Sequence, residues 1–194
     1  MTNHLTLRRF LHNKKALGAP VGNLIILVAA VILSTTVVLF ATNVTSSQVQ
    51  KEKMYIATSH IWYVNSSTSI AAIAVCNTGP IDIVLNKIDV KGLICEWNGT
   101  NNYVVYTKIN GTMPGDLPFT SDISQTENTT IPIAHQDYEF QVAGEGLTVK
   151  SGWSIAFYIV VPERVMVYDL STPLRMVITT TQSLYITETL VQTT

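Results

Sequence analysis

Between Lys15 and Lys51 the chain carries no charged residue. The centre of that stretch, Leu24 to Ala41, is apolar apart from Ser34, Thr35 and Thr36. These 18 residues approach the length of about 20 that a membrane-crossing helix needs. A helix packed into a soluble core would return a polar residue every turn, and no such face recurs here. Arg8, Arg9, Lys14 and Lys15 precede the run without an acid among them, and the first acid is Glu52. Basic residues on the N-terminal side alone predict that this side stays in the cytoplasm and that the rest of the chain is exported.

The uncharged stretch, Ala16 to Gln50, holds 35 residues and would extend about 50 Å as a helix. That exceeds a bilayer core of about 30 Å. The surplus, Thr42 to Gln50, is rich in Ser, Thr, Asn and Gln and is expected outside the membrane as a helix extension or a stalk. Pro20 suits the first turn of such a helix, where a missing N–H costs nothing. Gly18 and Gly22 stand four apart, a small-xxx-small pair that lets helix backbones approach closely. The run can be a single-pass anchor, a secretory signal or an assembly helix. The secretory reading is the weakest: the run is longer than the usual 7–15-residue apolar region, and Leu39-Phe-Ala41 makes a poor cleavage site.

Lys14-Lys15-Ala16-Leu17-Gly18-Ala19-Pro20-Val21, running straight into the apolar segment, resembles the class III signal of archaeal type IV pilins and archaellins. The resemblance implies cleavage between Ala16 and Leu17 by a prepilin-type signal peptidase. It also implies an assembly platform, and copies of the mature chain packed through their helices into a filament. The fifth residue of that mature chain would be Val21, where bacterial pilins place a Glu and archaeal relatives commonly do not. On this reading residues 1–16 are a basic leader, 17–50 the hydrophobic helix and stalk, and 51–194 an exported domain.

Removing the leader takes Arg8, Arg9, Lys14 and Lys15 from the 12 basic residues and none of the 13 acids, so the formal charge moves from −1 to −5. An acidic domain without clustered Lys and Arg is no nucleic-acid binder. Five glycosylation sequons, at Asn43, Asn65, Asn98, Asn110 and Asn128, all follow the apolar run and none precedes it, which agrees with export. Cys76 and Cys95 are the two cysteines. In an exported domain they invite one disulfide, worth about 3 kcal/mol for a loop of this length, with two buried thiols as the alternative.

Past Lys53 the pattern is β. Strands are expected over 54–64, 69–76, 81–91, 92–97, 103–109, 129–142, 147–150, 153–161, 165–170 and a long Thr-rich run, 174–191. The last is long enough for two strands, for one strand crossing between sheets, or for an edge that pairs with a neighbour. Val75-Cys-Asn-Thr-Gly79 with the strand after it resembles a signature of archaellin and archaeal pilin head domains, and is read as two neighbouring strands. Residues 110–128 carry Gly111, Pro114, Gly115 and Pro118 and are expected to form a long, solvent-facing, decorated loop. The fold class is therefore α+β: a long hydrophobic helix followed by an all-β, immunoglobulin-like sandwich head.

No zinc-protease, nucleophile-elbow or phosphate-loop pattern occurs. His60 and His135 each stand alone in the sequence, and Asp137 with Glu139 reads as a solvated acidic strand edge. Trp62, Trp97 and Trp153 are read as core or surface anchors, with a carbohydrate platform as the minor alternative. No catalytic residue, cofactor or metal ligand is predicted. The sequence points to a structural subunit of a surface filament, serving adhesion or motility. The alternative is a membrane-anchored extracellular binding module that does not polymerise.

Overall fold

The computed structural model describes residues 14–49, 51–100, 102–160 and 165–194. The chain divides into two compact units, Met1–Val49 and Gln50–Thr194. The first contains one helix, α1 (Lys14–Val49), of 36 residues. The second is a mixed sheet of 11 strands. The α+β layout expected from the sequence is what the chain adopts.

The strands are β1 (Met54–Asn65), β2 (Thr68–Asn77), β3 (Ile83–Val90), β4 (Leu93–Ile94), β5 (Tyr103–Asn110), β6 (Thr129–Ile133), β7 (Gln136–Val142), β8 (Leu147–Val149), β9 (Trp153–Val160), β10 (Pro173–Thr180) and β11 (Leu184–Thr193). Their order is β4-β3-β10-β11-β1-β2-β9-β5-β7-β6, with β8 on β3. This is one continuous sheet folded on itself rather than two separate ones. β11 makes the link: it is antiparallel to β10, and its end, Val191 to Thr193, runs parallel to Ile61 to Tyr63 of β1.

Side-chain alternation explains the folding. On β2, Ala71, Ile73 and Val75 enter a main core shared with Ile83, Leu85, Ile88, Met176 and Ile178 of the β3–β10 half. The even residues Ile70, Ala72 and Ala74 enter a second core with Ile131, Ile133 and Phe140 of the β6–β7 hairpin. β9 divides the same way, with Ile155, Phe157 and Ile159 on the main side and Ala156 and Tyr158 on the other. Both strands are buried on both faces, which is why they read as unbroken apolar runs.

The segment between β5 and β6, residues 111–128, closes the second core. It faces solvent along much of its length, as expected, but it also packs inward. Leu117 is buried, and Met113 and Ile123 pack against the same cluster. The Tyr158 hydroxyl donates to Pro118 O at 2.8 Å and the Tyr103 hydroxyl to Ile123 O at 2.9 Å. The segment is a strap whose prolines and glycines let it lie flat over the central strands.

Other expectations need correction. Residues 129–142 are a hairpin, turning at Ala134 and His135 with φ of 49° and 69°. Such a two-residue turn needs positive φ at both centres and normally takes Asn or Gly, so the sequence concealed it. Val167–Asp169, inside the strand expected over 165–170, is a 3₁₀ turn. The run 174–191 gives two strands, and the second links the two halves of the sheet.

β2 and β3 are not neighbours: β2 pairs with β1 and β9, and β3 with β10, β4 and β8. Between them Asn77, itself buried, donates to Ile81 O and Val149 O and accepts from Gly79 N–H. Thr78 and Gly79 N–H groups both donate to Lys53 O at 2.9 Å, pinning the start of the head. A Cβ at position 79 would lie 2.8 Å from Lys53 N, so only glycine fits there.

Cys76 and Cys95 are both buried and form no disulfide. Cys76 continues the even face of β2, where its Sγ lies 2.8 Å from Ser154 Oγ, whereas Cys95 belongs to the main core. Cys76 thus points away from the main core that Cys95 joins, which separates the two thiols.

Two measurements check this architecture. Leu117→Ala should lower the stability of the head by about 2–5 kcal/mol in urea unfolding, while Thr126→Ala on the exposed part of the same strap should be near neutral; equal effects would mean the strap is not packed. Alkylation of the unfolded protein without reductant should modify both cysteines, and a mass showing no added label would restore the disulfide.

Candidate functional site

Helix α1 is the feature that most restricts what the protein can do. A 27-residue span, Pro20–Ser46, is long and apolar enough to cross a membrane, and none of it is buried within the chain. Consecutive residues from Leu24 to Val28 all stand exposed, with Ile26 at 67%, so no side of the helix is polar. The few hydroxyls are absorbed by the helix backbone. Thr35 donates to Val31 O at 2.7 Å, Thr36 to Ile32 O at 2.8 Å and Thr45 to Ala41 O at 2.8 Å. Each threonine therefore turns its methyl group outward and leaves no polar atom unsatisfied. This is an apolar N-terminal helix of the kind used as a signal sequence or a membrane anchor.

Lys14, Lys15, Ala16 and Leu17 form the start of α1, and residues 1–13, with Arg8 and Arg9, lie outside the described residues. Pro20 is consequently inside the helix rather than in its first turn. Nothing lies within 4 Å of a Cβ built on Gly18 or Gly22, so the chain's own packing gives no reason for glycine at either position. Asn43 lies within the apolar span, not beyond it. The other sequon residues, Asn65, Asn98, Asn110 and Asn128, are all exposed on the head. Asn65 turns the β1–β2 hairpin, its Oδ1 accepting from Ser67 N–H at 2.8 Å, and Asn128 Nδ2 donates to Glu139 Oε1 at 2.7 Å.

On the head the structure gathers one polar cluster that sequence reasoning missed. His60 of β1 meets Asp116 of the strap, Nε2 to Oδ1 at 2.7 Å, and Thr58 Oγ1 lies 3.1 Å from the same Nε2 and donates to the same carboxylate. The separation of 56 residues between His60 and Asp116 gave no local signal. A catalytic relay needs base and orienter on opposite ring nitrogens, and here both contacts fall on one nitrogen. The imidazole is stacked on Trp62 at 5.1 Å, and Phe119 meets the same indole edge to face at 5.6 Å. The cluster is a latch holding the strap to β1. Asp116 experiences burial that pushes its pKa up, but the hydrogen bonds from Thr58 and His60 outweigh it and hold the carboxyl below the usual range. Burial pushes the Tyr158 hydroxyl well above the usual phenol range, so it remains the donor that Pro118 O requires.

The second ionic feature joins β3 to the 3₁₀ turn. Lys91 Nζ reaches both oxygens of the buried Asp169 at 2.7 and 2.8 Å, and Met166 N–H donates to the same carboxylate at 2.8 Å. Burial raises the Asp169 pKa, and the hydrogen bonds from Lys91 and Met166 with the lysine charge lower it further than burial raises it. The tryptophans offer no open platform: Trp62 is buried, Trp97 packs against the main core, and Lys150 Nζ sits 5.5 Å over the Trp153 ring. Asp137 and Glu139 lie exposed on one face of β7. No group of three or more metal-ligating side chains converges among the described residues.

No protein-family model matches the chain, and no curated protein does. Among solved structures the chain is similar to a GH20 exo-β-N-acetylglucosaminidase from Vibrio harveyi in complex with N-acetylglucosamine. The identity is 8% and the TM-score 0.21, over 71% of this chain and 18% of that one. The likeness is too slight to inform fold or activity.

The Asp169 site predicts a pH dependence. Its folded pKa is depressed, so its contribution is complete above the ordinary aspartate value of about 4 and disappears as pH falls through the lower folded value. Asp169→Asn should cost about 1–3 kcal/mol at pH 7 and should flatten the loss of stability below about pH 4. Urea titrations of both proteins at pH 7 and pH 3 measure this, and parallel acid profiles would refute it.

Proposed function

We propose that the chain is a structural subunit of an archaeal type IV pilus-like or archaellum-like surface filament. Its helix forms the filament core and its β-domain, with sugar at exposed sequons, the outer surface. The mechanism is physical. The basic leader retains the precursor's N-terminus in the cytoplasm, and a prepilin-type peptidase releases Leu17. An assembly platform then moves α1 from lipid into contact with copies of itself. Adhesion or motility follows from the filament.

The observation that carries this reading is an apolar helix with no polar side, none of whose membrane-length span is buried. Lipid suits such a surface, and so does a ring of identical helices. Pro20 adds support for the cut. In a helix running from Lys14, proline removes the N–H that would bond to Ala16 O and crowds that carbonyl. In a chain beginning at Leu17, Pro20 is the fourth residue, the last of the four whose N–H groups have no helical partner. Cleavage thus turns an internal helix breaker into a harmless one. Gly18 and Gly22, unexplained within the chain, supply a close-approach face for a second helix.

The same helix length also suits a single-pass anchor carrying a binding module, and processing separates the two. In protein taken from its native cell surface, N-terminal sequencing should begin at Leu17. Replacing Lys14 and Lys15 with Gln should leave the precursor uncut and remove surface filaments. A mature chain that retains the basic segment, or filaments that persist in the double variant, would overturn the assembly reading in favour of the anchor.

A further inference from the structure

Asn110 ends β5 beside a cleft of the head. The antiparallel register sets Asn110 opposite Trp153, the first residue of β9. Residues opposite one another in such a pair point to the same face, with Cβ atoms about 4.5–5.5 Å apart. Trp153 is half-buried against the main core, and the rest of its side chain lines a cleft of about 310 Å³ with Asp82, Lys108, Thr148 and Lys150. Lys108 stands one alternation before Asn110 on the same strand and shares its face. Lys150 Nζ lies 5.5 Å from the centre of the Trp153 ring.

Three observations indicate what fills it. The first is a free point of attachment. Asn110-Gly-Thr112 is a sequon, and Asn110 and Thr112 are both exposed. The carboxamides of the other head sequons are already engaged: Asn65 Oδ1 accepts from Ser67 N–H, Asn98 Oδ1 from Gln125 Nε2, and Asn128 Nδ2 donates to Glu139. The Asn110 side chain forms no hydrogen bond among the described residues. The second is a fixed position. The Asn110 backbone belongs to the β5–β9 ladder, and Ser154 Oγ, next to Trp153, donates to Gly111 O at 2.5 Å. The third is the chemistry of the walls. Lys108 and Lys150 form no ion pair among the described residues, while Asp82 Oδ1 is engaged by Ser151 N–H at 2.9 Å. An indole face is negative and attracts the C–H side of a sugar ring, and each ammonium group donates to hydroxyl or carboxylate oxygens. A purely apolar occupant would strip water from both ammonium groups without replacing it.

We infer that the cleft is the docking site of the glycan carried by Asn110 itself. The first sugars of an N-linked saccharide fold back onto the part of Trp153 that Lys150 leaves open, and Lys108 and Lys150 donate to their oxygens. The inference rests on the part of the proposed function that puts sugar on exposed sequons, and it does not depend on assembly. Because the sugar is covalently held, its effective concentration at the cleft is high and a weak contact suffices. The glycan thus lies against the end of the β5–β9 pair and stabilises the head instead of projecting freely into solvent.

The test uses the full chain in detergent, taken from its native cells and, for comparison, from a host without N-glycosylation. Mass spectrometry of the peptide carrying Asn110 should show added saccharide. Thr112→Ala removes the sequon and leaves Asn110 in place. It should lower the melting temperature of the head by about 2–4 °C in protein from native cells and leave the unglycosylated chain unchanged. Lys150→Ala should lower it by more with the Asn110 sugar than without, and in the Thr112→Ala background its effect should shrink to the value in the unglycosylated chain. Thr100→Ala, which removes the Asn98 sequon, should leave the Lys150→Ala effect at full size. An unmodified Asn110 would overturn the inference. So would a Thr112→Ala protein as stable as wild type, which would leave the sugar loose in solvent. A Lys150→Ala effect of equal size with and without the sugar would do the same, assigning the lysine to Trp153 alone. A chain that keeps its basic segment and forms no filament, yet shows this coupling, would sink the filament reading and leave the docked glycan standing.

Discussion

An all-round apolar helix cannot remain in water, and that constraint governs the molecule. Fourteen large apolar side chains of α1, from Val21 to Val44, are exposed on the isolated chain. At about 1.5–3 kcal/mol for each, leaving them in water costs on the order of 20–40 kcal/mol. A whole domain is stable by only about 5–15 kcal/mol. The head cannot compensate such a cost from its own folding, so the helix must be covered by lipid or by other apolar helices. Its backbone and its threonines are already satisfied internally, so either covering need supply only apolar contact. Passing from one covering to the other would exchange like for like.

The head answers the same requirement by enclosing its apolar surface itself. β2 and β9 serve two cores at once, and neither face could be left bare without exposing a row of Ile, Ala or aromatic side chains. The β3–β10 half of the sheet closes one side, and the β6–β7 hairpin with the strap closes the other. Alanine at positions 72, 74 and 156 keeps the second core thin enough for Phe140 to meet Tyr158 edge to face at 5.2 Å. The buried polar groups there are tied off by strap carbonyls, and the latch of Thr58, His60 and Asp116 holds the strap's outer edge. A long segment of Pro, Gly and Ser thus acts as a third layer in place of a further strand.

What could be read from residues alone follows from how local each signal is. The helix was legible because composition over many residues defines it, and β2 and β9 because burial on both faces leaves unbroken apolar runs. The hairpin at Ala134–His135 was hidden because its positive φ values fall on residues that do not advertise them. The inward packing of the strap was missed because Pro and Gly mark irregular backbone but carry no information about what it covers; Met113, Leu117 and Ile123, apolar residues in a polar stretch, were the clue. The disulfide expectation failed on parity: even cysteine number and a plausible loop length say nothing about which face of a strand a thiol occupies. His60 and Asp116 meet only because the strap folds back on β1, and sequence distance erased that relation.

The C-terminal run was open to several readings, and its place in the sheet narrows them. β11 has β10 on one side and β1 on the other in strand order, and Thr189 Oγ1 donates to Ser59 O at 2.9 Å across the junction with β1. Its backbone pairs with β10 over Leu184 to Leu190 and with β1 only over Val191 to Thr193, so the strand passes from one half of the sheet to the other near its end.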